Sequence, residues 1–150
     1  SERVLEQLRG ALNNGPPKQA FHSFAEMLRR SFGWYSWIGI YLVEGDKLVL
    51  EAYAGDAETE HVTIPIGQGI CGFAAKTGET VVVPDVSRDP RYLMCFPSTR
   101  SEIVVPIRGK KGVIGEIDID SDKPAAFSKS DEMFLEAATR QLASYLEKRL

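Results

Sequence analysis

The sequence predicts an α+β fold: a central antiparallel six-stranded sheet with the N- and C-terminal helices packed on one face. Three observations carry this prediction. Apolar residues recur at helical spacing near both ends of the chain. Between them the period changes to two. The order of elements is helices, strands, a helix-and-loop insertion, strands and a helix, which reads as α+β with an antiparallel sheet.

The first element is a weakly amphipathic helix over about 2–13, with Val4, Leu5, Leu8 and Leu12 on one stripe. Asn13-Asn-Gly-Pro-Pro17 ends it. A second helix covers about 17–32, with Phe21, Phe24, Met27 and Leu28 at helical spacing. Pro17 suits its first turn and Gly33 its end. Strands from Tyr35 to Val43 and from Lys47 to Ala54 flank Glu44-Gly-Asp46 and read as a hairpin. A short third strand lies near Val62–Pro65. Gly67-Gln-Gly-Ile-Cys-Gly72 then leads into a short helix, Phe73–Lys76, closed by Gly78, and Thr80–Val83 is a fourth strand. Pro84 to Arg100 is a long connection broken by Pro90 and Pro97; loops of that length inside compact domains are usually functional or disordered. Ser101-Glu-Ile-Val-Val-Pro-Ile107 and Gly112-Val-Ile-Gly-Glu-Ile-Asp-Ile-Asp-Ser121 form the last hairpin around Arg108-Gly-Lys-Lys-Gly112. A terminal helix over about 128–150 starts at Ser128-Lys-Ser-Asp131.

The chain has 150 residues, enough for a single domain, 1–150, with the sheet and its pocket over about 34–121. A net charge of -3 gives no support for nucleic-acid or membrane-surface partners. No long apolar stretch or signal pattern is present, which places the chain in the cytoplasm as an expectation. Two cysteines, Cys71 and Cys95, without Cys-x-x-Cys or His-x-x-x-His spacing, argue against a structural metal; none is expected.

Acidic residues punctuate the last hairpin. Alternation places Ile117 and Ile119 on one side and Glu116, Asp118 and Asp120 on the other, with Glu102 opening the partner strand. On charge alone this face reads as wet. The cysteines shift that balance toward a site.

These segments resemble a GAF domain. The likeness rests on Ile64-Pro-Ile-Gly-Gln-Gly-Ile-Cys-Gly72, Asp85-Val86, Ser101-Glu-Ile-Val-Val-Pro-Ile107 and Gly115-Glu-Ile-Asp-Ile-Asp-Ser121. The resemblance implies a ligand pocket roofed by loops on the face opposite the terminal helices. Trp37-Ile-Gly-Ile-Tyr41, the cysteine before Ser-Glu-Ile-Val and Ile-Asp-Ile-Asp-Ser are similar to one branch, the free methionine-(R)-sulfoxide reductases. That family commonly carries a third cysteine, and here His61 stands at its place.

The resemblance implies thiol-dependent reduction of free methionine sulfoxide with no bound cofactor and a thioredoxin-like, NADPH-linked external reductant. It makes Cys95 the nucleophile. Cys71 or an external thiol then resolves the oxidised Cys95. Cys71 sits at a helix start, where a thiolate is favoured. Glu102 and Asp120 lie near the sulfoxide, with Asp118 in support; crowding raises carboxylate pKa values, so one stays protonated as the acid. Glu116 is expected on a solvated face. Trp37 and Tyr41 wall the S-methyl group, Gly39 between them leaves room for a small ligand, and amides around Gly69 and Ile70 through Gly72 hold the substrate carboxylate. His61 reads as a solvated strand-edge residue, and His22 as structural. Helical ends suit a homodimer. The rival expectation is a GAF sensor that binds a small molecule or senses redox state without catalysis. The Asn-Lys-x-Phe-x-Asp-Glu pattern of cyclic-nucleotide GAF domains is absent, and no Cys-His pair suits bilin attachment.

Overall fold

The computed structural model describes residues 1–59, 61–94 and 96–149. In chain order it contains α1 (Glu2–Ala11), α2 (Pro17–Ser31), β1 (Trp37–Glu44), β2 (Lys47–Ala54), β3 (Thr63–Pro65), α3 (Gly69–Thr77), β4 (Val81–Val83), β5 (Ser101–Gly109), β6 (Gly112–Ser121) and α4 (Lys129–Glu147). A single 3-10 turn, Val86–Arg88, interrupts the long connection before β5. The strands form one sheet in the order β3-β2-β1-β6-β5-β4 with antiparallel pairing throughout.

The two hairpins supply the four central strands, and the second inserts β6 beside β1. Pairing of Ile38 with Ile119 and of Ile40 with Ile117, and of Ile103 with Ile119, aligns isoleucines across three strands. Together with Val105 and Ile107 they face α1, α2 and α4, and Phe21, Phe24, Leu28, Leu135 and Leu142 close over them. Each fully buried aliphatic side chain contributes about 1.5–3 kcal/mol, so this face holds most of the apolar stabilisation.

The opposite face has its own smaller core. Ile70, Cys71, Ala74 and Ala75 of α3 pack there with Trp37, Tyr41, Ile64, Val83, Val86 and Val104. α3 begins at Gly69, four residues earlier than the sequence suggests, because the glycine-rich segment is itself helical. The strand expected from Tyr35 begins at Trp37 instead. Tyr35 turns into the helical layer, where its hydroxyl donates to Asp131 Oδ1 at 2.7 Å.

Asp131 belongs to the reciprocal cap of α4. Ser128 Oγ accepts from the Asp131 amide, and Asp131 Oδ2 accepts from the Ser128 amide at 2.9 Å. One carboxylate therefore starts the last helix and anchors the entry to β1. Asp131→Ala is expected to cost about 2–3 kcal/mol, combining a lost cap with a buried hydroxyl left without its acceptor. In a double-mutant cycle by chemical denaturation, Tyr35→Phe should recover the hydroxyl's share. Strict additivity of the two changes would refute the shared role.

Candidate functional site

The site is built on β6. Period-two alternation points Glu116, Asp118 and Asp120 away from the isoleucine face, and α3 covers them. All three are at most 1% exposed, and Glu102, opposite Asp120 on β5, is 4% exposed. The expectation of a wet face is thereby overturned, and with it the solvated Glu116. Neither oxygen of Glu116 or of Asp120 makes a hydrogen bond, nor does Asp118 Oδ1. Among the described residues, no lysine or arginine forms an ion pair with these three.

Burial pushes the Glu116 carboxyl well above its ordinary pKa, and the charge of Asp118 adds to the effect. Asp120 is raised strongly for the same two reasons, burial first. Asp118 is also raised by burial, with Glu102, the Cys71 thiol and His61 acting in the opposite direction. Crowding was expected to be the cause; desolvation is the larger one. These groups share protons as a set rather than titrating one by one.

Cys71 is the third residue of α3 and points down at this row. One ligand atom from each of Cys71, Glu102 and Asp118 lies within 4.8 Å of the others. The thiol approaches Glu116 without reaching hydrogen-bond geometry. Burial, then the carboxylates led by Asp118, raise the Cys71 pKa well above its usual value. The expected helix-start thiolate is thus replaced by a neutral thiol.

The amides expected to bind a carboxylate are partly committed. Gly72 N–H donates to Gln68 O at 2.9 Å within the helix. Gly69, Ile70 and Cys71 border a small space together with His61, Ile64, Leu93, Glu102 and Asp118. That space measures about 10 Å³, room for about one water. The site is closed.

Its roof comes from the connection after β4 and the segment before β3. His61 is half-buried rather than a solvated strand edge: its Nε2 lies 3.1 Å from Met94 O, and its carbonyl accepts the Tyr41 hydroxyl at 2.8 Å. Leu93 lies against Gly69. Phe96 packs on Trp37 with centroids 5.4 Å apart. Cys95 lies outside the described residues.

Trp37 lines this face, but Gly39 does not leave the space expected. The indole lies flat across both Gly39 and Gly55, so a side chain at either would collide with the ring. Its Nε1 donates to Ala57 O at 3.1 Å, and the ring stacks on Tyr53. Tyr41 is fully buried and props up His61. Sequence reasoning missed the roof contacts of Leu93 and Phe96. An apolar pair inside a long loop was the signal available.

The GAF domain family model matches residues 16–146. A type II free methionine-R-sulfoxide reductase from Thermoplasma acidophilum is 41% identical; the superposition covers 97% of this chain and 96% of that one, with a TM-score of 0.82. The free methionine-R-sulfoxide reductase of Escherichia coli is 38% identical over 113 residues, 75% of this chain and 65% of that protein. GAF domain-containing protein A of Dictyostelium discoideum is 33% identical over 136 residues, 89% and 84% of the two chains. The chain therefore belongs to the GAF domain family, among relatives that include free methionine-R-sulfoxide reductases.

Proposed function

We propose that the chain reduces free L-methionine-(R)-sulfoxide to methionine at the expense of thiols. One observation carries the reading: a row of carboxyl groups kept proton-bearing by burial, facing a thiol under a loop roof. The 41% identity to a reductase along nearly the whole chain supports it.

The chemistry needs a thiolate to attack sulfur and an acid to protonate the oxygen. The Cys95 thiolate attacks the sulfoxide sulfur while Asp120, or Glu102 beside it, supplies the proton. The oxygen passes to Cys95. Methionine leaves reduced by two electrons, and Cys95 is oxidised to a sulfenic acid. A second thiol then condenses with the sulfenic acid, releasing water and forming a disulfide. Either Cys71 or a thioredoxin-like reductant fills that role, and an external dithiol regenerates the enzyme. Cys71 would need to lose its proton first, which the adjacent acids oppose. Asp118 supports the ammonium end of the substrate, and Trp37 the S-methyl end.

Turnover is measured with dithiothreitol, then with thioredoxin, thioredoxin reductase and NADPH. Cys95→Ser should abolish it in both assays. Asp120→Asn should lower it about 10²–10⁴-fold. Loss in Cys71→Ser confined to the thioredoxin assay would assign Cys71 as the resolving thiol. No turnover by folded protein with either reductant would sink the reading and leave a binding module.

A pH prediction follows from the buried row. Glu116 is ionised in the unfolded chain above about pH 4.3 and protonated in the fold, so folding takes up a proton. Stability from this group is complete below the unfolded pKa and lost as pH rises through the folded one. Asp118 and Asp120 act in the same sense. Asp89, lowered by its bond with Arg91, acts in the opposite sense and at lower pH. Above the unfolded pKa, Glu116→Gln should flatten the decline in unfolding free energy with rising pH by up to about 1.4 kcal/mol per pH unit. Equal slopes in the two proteins would show that Glu116 ionises freely.

A further inference from the structure

The carboxylate row poses a problem that protonation solves only in part. Buried charges in proteins are paired or coordinate metals. We propose that Cys71 Sγ, Glu102 and Asp118 form a binding site for one thiophilic divalent cation of the Zn²⁺ class. Spacing of cysteine and histidine along the chain argues against a metal, but it takes no account of carboxylates delivered by neighbouring strands.

Geometry carries the inference. Around a tetrahedral zinc, bonds of about 2.3 Å to sulfur and about 2.0–2.2 Å to oxygen set neighbouring donors roughly 3.3–3.7 Å apart. The three donors already lie within 4.8 Å of one another, so closing on an ion takes shifts on the order of 1 Å. They come from three different elements, α3, β5 and β6, each fixed by its own packing. The space they border, about 10 Å³, is the size of one small sphere.

A second, independent observation points to a ligand there. Asp118 is 1% exposed, its Oδ1 has no hydrogen-bond partner, and it borders that space. Both oxygens of Glu116, the next acid on the same face, also lack partners. A cation would satisfy Asp118 Oδ1, with one Glu116 oxygen or a water completing four-coordination. A thiolate and two carboxylates carry three negative charges against two positive, and the Cys71 proton and any proton held by the two acids leave to solvent on binding. The sulfur selects against Mg²⁺, which prefers six oxygens and retains water. Occupancy would tie up Cys71, Glu102 and Asp118, so under the proposed activity the metal-bound form is switched off. Binding itself is independent of that activity.

The test uses reduced, chelator-treated full chain titrated with Zn²⁺ against a chromophoric chelator, and with Co²⁺ as a spectroscopic probe. One equivalent of Zn²⁺ per chain is expected, with a thiolate-to-cobalt charge-transfer band and no response to Mg²⁺. Cys71→Ser should remove the band and weaken Zn²⁺ at least about 100-fold, and Asp118→Asn should weaken it at least tenfold. Circular dichroism checks that both variants fold. Cys95→Ser should keep both the stoichiometry and the band. Absence of binding to folded wild-type protein, or a band lost in Cys95→Ser but kept in Cys71→Ser, overturns the assignment whether or not the protein turns over sulfoxide.

Discussion

The structure depends on one constraint: β6 is an alternating strand in a sheet that is covered on both faces. Alternation gives its isoleucines to the helical layer and commits Glu116, Asp118 and Asp120 to the other side. Once α3 lies across that side, the acids leave water, and every neighbour must accommodate them. Ala74 and Ala75 let the short helix sit close to the sheet. Trp37 lies flat over two glycines rather than standing off the strand. The carboxyls keep their protons, or exchange them for a cation.

The same constraint decides the state of Cys71. A helix start favours an anion by about 0.3–1 kcal/mol when exposed, and up to about 2 when partly buried. One pKa unit is about 1.4 kcal/mol, so that effect is worth about one unit. Burial together with four nearby carboxylates opposes it, and their combined push upward prevails. A buried thiol facing acids is a poor nucleophile in the resting form. It becomes useful once the roof opens and water or a partner changes its surroundings, or once a metal takes the place of its proton.

Much of the fold was legible because its signals are local. The β5–β6 hairpin lies at Ser101–Gly109 and Gly112–Ser121, as its β-branched runs imply. The reciprocal cap at Ser128 and Asp131 marks the start of α4. Glu116 was misread because alternation tells which side a residue faces, not whether that side is covered. The cover is α3, whose glycines disguise it as a loop. Tyr35 was misplaced for a related reason: an aromatic beside a strand looks like strand, and only Asp131, ninety-six positions away, reveals its true partner. Long-range pairing of this kind leaves no periodicity to read.

Closure of the site sets the last requirement. The space beneath α3 has room for about one water and admits anything larger only if part of its boundary moves. The sheet floor is the wrong part, since β1, β5 and β6 are held by long antiparallel ladders and two cores. Among the described residues, the roof contacts include a His61 ring contact with a carbonyl, Leu93 on Gly69, Phe96 on Trp37, and Arg91 over the Phe73 ring at 4.6 Å. Each such contact is worth about 1 kcal/mol or less, with the cation over an aromatic ring at about 0.5–1. Leu93 and Met94 are already exposed, so lifting them costs little apolar burial. Arg91 also holds Asp89 at 2.6 Å, which ties together the start of the loop. The side chains over the acids thus come from a connecting loop, while the acids themselves stand on the sheet.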